Sequence, residues 1–210
     1  MKKMIVDILM FILMLIEFSR VYLPTIIHEI VGIILLILVI IHLILNKNYL
    51  KNIFKTKYNL KNSFMVIVNC LLMLSFILTS VFGLLSSKDL LVFLNIGNLT
   101  IIHLHKVFAY ICLLLIGIHL GINLTGLFKK ISKLIKNKVL FVILEIIIIV
   151  LGIYSFIKVD FWNHLIGKYG FSIVTGNLFI NILEYLSIVL MITIIVNFIY
   201  IRIGGKKNER

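Results

Sequence analysis

The sequence predicts an all-α integral membrane protein, a bundle of six transmembrane helices, and three observations carry that expectation. Of 210 residues 62% are hydrophobic and the mean hydropathy is +1.19, where soluble domains run closer to half apolar. The chain holds a single proline, so little interrupts long helices. Its lysines gather in clusters between the apolar runs. A net charge of +13 would suggest nucleic acid in a soluble protein, but clusters flanking apolar runs act as topology signals. No nucleic-acid partner is expected; the expected surroundings are a lipid bilayer.

A span needs about 20 mostly apolar residues, and six segments qualify: about 4–22, 25–45, 63–85, 101–127, 139–157 and 174–201. The opening MKKMIVDILMFILML resembles a signal peptide, but Asp7 interrupts it and no small-x-small cleavage site follows. It reads as a retained first span. Lys2 and Lys3 precede it. Loop 46–62 carries Lys47, Lys51, Lys55, Lys57 and Lys61, and loop 128–138 carries Lys129, Lys130, Lys133, Lys136 and Lys138. The tail adds Arg202, Lys206, Lys207 and Arg210. The opposite side holds only Arg20, Lys88, Lys158 and Lys168. The positive-inside rule then predicts a multi-pass protein of the cell membrane with both termini cytoplasmic, as an even number of spans requires.

The second and fourth spans carry the residues of interest. His28 and His42 are fourteen apart in HEIVGIILLILVIIH, and His105 and His119 repeat the spacing. Fourteen residues fall about 40° short of four helical turns and rise about 21 Å, so each pair shares a face at two depths. His103 to His119 spans sixteen, which selects His105 as the partner. One helix reads H-E-I-V-G, nine apolar residues, then H-L-I-L-N to Asn46. The other reads H-K-V-F-A, nine apolar residues, then H-L-G-I-N to Asn123. Gly32 and Ala109 sit four positions after the outer histidines, on the same face, and leave room there for a flat, bulky group.

Two parallel helices with imidazoles at matched depths can ligate two metals across their interface. Imidazole suits iron, zinc, copper and nickel. Glu29 neighbours His28 but points about 100° away, so no carboxylate completes a tetrahedral or octahedral set. Two nitrogens per metal suit a macrocycle that supplies the other four. The expected cofactors are therefore two non-covalent, bis-histidine b-type haems: an outer one on His28 and His105, an inner one on His42 and His119. The fold expectation sharpens to a four-helix di-haem cytochrome b-like core over residues 1–128. Residues 129–210 would add two transmembrane helices and a basic cytoplasmic tail.

Residues 20–125 resemble the flavinylation-associated cytochrome family, a branch of the membrane di-haem b cytochromes. The shared pattern is H-E-x-x-G…H-L-x-x-N in one helix and H-K…H-L-G-x-N in the other. The resemblance implies electron transfer to or from an extracytosolic flavoprotein and carries ligand roles onto His28, His42, His105 and His119.

The sequence contains no Gly-rich nucleotide motif and no C-x-x-C-H attachment site. The donor or acceptor must then be a partner redox protein or a quinone, and the chain reads as the electron-transfer membrane subunit of an oxidoreductase system rather than a complete enzyme. The competing readings are a divalent-metal transporter using the histidines as a relay and a non-catalytic membrane anchor. Asn177, Asn181 and Glu184 form a polar stripe on the sixth span and Glu145 lies in the fifth, either as proton or quinone groups or as hydrogen-bonded bundle residues. Glu17 and Arg20 are expected to pair near the outer surface. Arg20, Lys106 and Lys47 could reach haem propionates, and each is equally explained by snorkelling. His103 and His164 read as interfacial and surface residues, and Cys70 and Cys112 as small core residues.

Overall fold

The computed structural model describes residues 2–53, 59–135, 137–168 and 176–205, and every regular element among them is helical. Lys55, Lys57, Lys136, Lys206, Lys207, Arg210 and residues 174 and 175 of the sixth predicted span lie outside the described residues. The helices are α1 (Lys2–Phe18), α2 (Thr25–Leu45), α3 (Lys47–Ile53), α4 (Leu60–Leu84), α5 (Leu99–Asn123), α6 (Thr125–Leu134), α7 (Lys138–Lys158), α8 (Phe161–Leu165) and α9 (Leu178–Gly205). Five of them, α2, α4, α5, α7 and α9, are long and apolar enough to cross a membrane. α1 has 17 residues.

Asparagines start the spans. The side-chain oxygens of Asn59, Asn98, Asn137 and Asn177 accept from the backbone N–H groups of Asn62, Thr100, Val139 and Ile180 at 2.8–3.0 Å, satisfying donors that the first helical turn leaves open. Asn177 is thus a helix cap rather than part of an intramembrane stripe.

Extended helix packing runs α1 on α2, α4 on α5, α5 on α9 and α7 on α9. The core joins Met14 and Leu15 of α1, Tyr110 and Leu113 of α5, Phe161 of α8, and Tyr185, Ile188 and Val189 of α9. Leu35, midway between His28 and His42, packs against this cluster and turns the histidine face of α2 inward. Outside, isoleucines such as Ile30, Ile37 and Ile44 are exposed, an apolar surface suited to lipid.

Small residues let α5 and α9 approach. A Cβ on Gly117 would fall 2.8 Å from Ile192 Cγ2, and one on Gly121 would fall 2.8 Å from the Thr193 carbonyl oxygen. Such close approach is the usual use of a small-x-x-x-small pattern in membranes. Across it, Thr193 donates to the Gly117 carbonyl at 3.2 Å and Asn197 to the Gly121 carbonyl at 2.9 Å.

Several sequence expectations change at the outer end. Glu17 does not pair with Arg20, whose guanidinium donates to the Leu23 carbonyl and Thr25 Oγ1. His164 is not a surface residue: it stacks on buried Tyr110 with ring centres 4.7 Å apart, because α8 folds back onto α5. His103 reaches the Gly167 carbonyl at 2.9 Å. Of the two cysteines only Cys112 is buried; Cys70 is exposed.

Candidate cofactor-binding site

The four histidines lie on α2 and α5, which run side by side in direction but share no extended packing with each other. α2 is held by α1, and α5 by α4 and α9. The imidazoles of His28 and His105 nevertheless reach across to a ring-centre separation of 6.2 Å, with planes at 83°. His42 and His119 lie toward the opposite ends of the same two helices.

Each imidazole has an acceptor at Nδ1, supplied by the helix packed antiparallel to its own. His105 Nδ1 lies 2.9 Å from the Thr79 carbonyl oxygen and His119 Nδ1 2.8 Å from Asn69 Oδ1, both on α4. His42 Nδ1 lies 2.7 Å from Asp7 Oδ1, and His28 Nδ1 2.9 Å from Glu17 Oε2, both on α1. The last is a close contact only: His28 Nδ1 and Glu17 Oε1 both remain without a hydrogen bond. A carbonyl or carboxylate acceptor requires the proton on Nδ1. In His42, His105 and His119 that leaves Nε2 unprotonated, the tautomer that metal-binding histidines use.

The two hairpins are built alike. The acceptors Asp7 and Glu17 are ten residues apart on α1, and Asn69 and Thr79 ten apart on α4. Each pairs in reverse order with histidines fourteen apart on the neighbouring helix. The second asparagine motif repeats too: Asn46 donates to the His42 carbonyl at 2.9 Å and Asn123 to the His119 carbonyl at 2.8 Å. The Asn46 amide also stands 3.4 Å from His42 Nε2.

Glu29, set aside on angular grounds, has a structural task. Its carboxylate accepts from Ser87 Oγ at 2.7 Å and from the backbone N–H groups of Lys88, Asp89 and Leu90 at 2.6, 3.2 and 2.7 Å. It therefore ties the outer end of α2 to the α4–α5 connection and fixes His28 relative to His105. Gly83 of α4 lies against the His105 ring, where a Cβ would fall 3.0 Å from Cε1. Gly32 faces α1, its Cβ position 3.6 Å from Glu17 Oε2, and Ala109 is half-buried on α5.

His28 and His105 are spaced as two imidazoles holding one metal between them would be. A nitrogen–metal bond of about 2.0 Å places a ring centre about 3.2 Å from the metal, so opposed imidazoles stand about 6.3 Å apart. The separation between His28 and His105 is 6.2 Å. Among the described residues no group of three or more His, Cys, Asp or Glu side chains is arranged to hold a metal ion, so a metal held by side chains alone would lack donors. The carboxylates that approach the histidines sit at Nδ1, beside the ligand position rather than in it.

Glu184 accepts from Lys158 Nζ at 2.5 Å and from Asn181 Nδ2 at 3.1 Å, and is a satisfied bundle residue between α7 and α9. Glu145 is half-buried on α7. Comparisons with family models, curated proteins and solved structures return no match.

Proposed function

We propose that this chain is the electron-transfer membrane subunit of an oxidoreductase system, with two non-covalent b haems as its redox groups. The outer is held by His28 and His105, the inner by His42 and His119. In this reading α1 is the sixth span, about 26 Å long at about 1.5 Å per residue and continued by the 3₁₀ turn Arg20–Tyr22. An even span count and the basic loops put both termini in the cytoplasm. The redox partner is an extracytosolic flavoprotein, as the family resemblance implies, or a quinone.

The observation that carries the reading is the repeated hairpin: two helices with histidines fourteen apart, each backed by an antiparallel helix with Nδ1 acceptors ten apart. One imidazole in such a setting is ordinary interhelical hydrogen bonding. Three in the same tautomer, with a fourth at the matching place and depth, need a purpose for their Nε2 lone pairs. When bound, haem supplies a one-electron iron couple. The chain's own residues orient the imidazoles, exclude water with apolar walls, and set which oxidation state is favoured.

The test is a reduced-minus-oxidised visible spectrum of the purified protein with a pyridine haemochrome assay. Two b haems per chain are expected, falling to one or none in His42→Ala or His119→Ala. A haem-free protein from cells supplied with haem precursor would overturn the reading.

A further inference from the structure

We infer that α1 is a tuning helix, whose Asp7 and Glu17 carboxylates, set against Nδ1 of His42 and His28, lower the reduction potentials of the inner and outer sites. The inference rests on the di-haem reading above and adds to it the residues that set its energetics.

The two sides of each site differ in charge. On α5 the Nδ1 acceptors are neutral, the Thr79 carbonyl and the Asn69 amide. On α2 they are carboxylates. A charge-assisted hydrogen bond is about twice as strong as a neutral one. At His42 it draws the Nδ1 proton toward Asp7 Oδ1 and makes the imidazole a stronger donor through Nε2. At His28, where no such bond forms, the Glu17 carboxylate acts through its charge alone. Both favour the oxidised metal. The proton stays on Nδ1 in both redox states, and no covalent bond changes when an electron arrives or leaves.

Carboxylates in membrane segments are rare and demand a use. Among the described residues neither of these forms a salt bridge with a lysine or arginine. Arg20, three residues from Glu17, bonds to Leu23 and Thr25. Lys3, four residues from Asp7, donates to Asn46 Oδ1 at 3.2 Å. Glu17 has only 15% of its side chain exposed and faces His28, with its second oxygen buried and unpartnered. Two carboxylates one helix away from two histidines, in the same relation twice, form a set rather than an accident of packing.

The experiment is a potentiometric titration of the purified protein, followed by visible spectra and by electron paramagnetic resonance of the ferric signals. It compares wild type with Asp7→Asn and Glu17→Gln, which keep shape and an acceptor oxygen but lose charge. Each variant should keep two haems per chain and raise one potential, a different one in each. A tenfold shift toward the reduced form, read as about 59 mV for one electron, is expected. Asp7→Glu and Glu17→Asp should stay closer to wild type. Loss of one haem from a neutral variant, with retention in its carboxylate counterpart, supports the same assignment, since such partners supply about 10–100-fold in metal affinity. Two haems with both potentials unmoved would overturn this inference and leave the di-haem reading intact. A haem-free wild type would overturn the di-haem reading itself, and this inference with it.

Discussion

The His105 ring of α5 stands directly against the backbone of Gly83 on α4: a Cβ there would lie 3.0 Å from Cε1 and 3.1 Å from Nδ1. The same imidazole is held at Nδ1 by the Thr79 carbonyl one turn earlier, so it cannot retreat without losing that bond. Gly83→Ala should therefore push the ring out of its ligating position. Under the di-haem proposal, haem per chain should fall from two toward one, with a stability loss of about 1–3 kcal/mol from overpacking. Haem stoichiometry and a thermal melt check it; an unchanged outer haem would show that the helices part freely at this level.

Asn69 is fixed by its second bond. Its Nδ2 donates to Tyr49 Oη at 2.6 Å while its Oδ1 faces His119 Nδ1 at 2.8 Å, so the amide is held at both ends. Asn69→Leu should weaken the inner haem by about 10–100-fold, read as haem loss on dilution or by competition with apomyoglobin. Tyr49→Phe frees the amide to rotate and should have the same effect to a smaller degree. Asn69→Asp keeps the acceptor and should retain the haem.

What could be read in advance was periodic, and what could not was nonlocal. That His28 shares a helix face with His42, and His105 with His119, was legible because fourteen residues is close to four turns, whatever surrounds the helix. The helices α2, α4, α5, α7 and α9 were legible from hydropathy. The Nδ1 partners were not, because periodicity does not say which helix packs beside which; Asp7 stood out only as an interruption in an apolar run. Glu17 illustrates the competition: spacing on its own helix favours Arg20, but the α1–α2 hairpin brings His28 within 2.9 Å. Glu29 does lie off the histidine face, yet its long side chain reaches the connection after α4. His164 looked exposed because nothing local indicates that α8 folds back onto Tyr110.

Lys158 and Glu184 bridge the C-terminal end of α7 and the N-terminal part of α9 at 2.5 Å, with Glu184 only 7% exposed. Lys158→Met leaves a buried carboxylate with Asn181 as its remaining bond. Removing both charges in Lys158→Met with Glu184→Leu should be less destabilising than removing the lysine alone, because the uncompensated charge costs more than the pair returns. Thermal melts of the single and double variants in detergent decide this. If Glu184 instead served proton transfer, Glu184→Gln would slow turnover with a partner at unchanged stability.

Glu29 gives the most direct separation of outer from inner site. Its carboxylate holds one hydroxyl and three backbone N–H groups of the α4–α5 connection, and this is what ties α2, otherwise packed on α1, to the half of the protein that carries His105. Glu29→Ala removes the tie and leaves those donors to water. His28 then loses its registration with His105, while His42, held 21 Å away along the helix by about fourteen residues of rise and by Asp7 and Asn46, keeps its place. The expected result is selective loss of the outer haem, identified by which potential disappears from the redox titration. Equal loss of both would mean that α2 moves as one body and that the connection, rather than either histidine pair, sets the distance between the two hairpins.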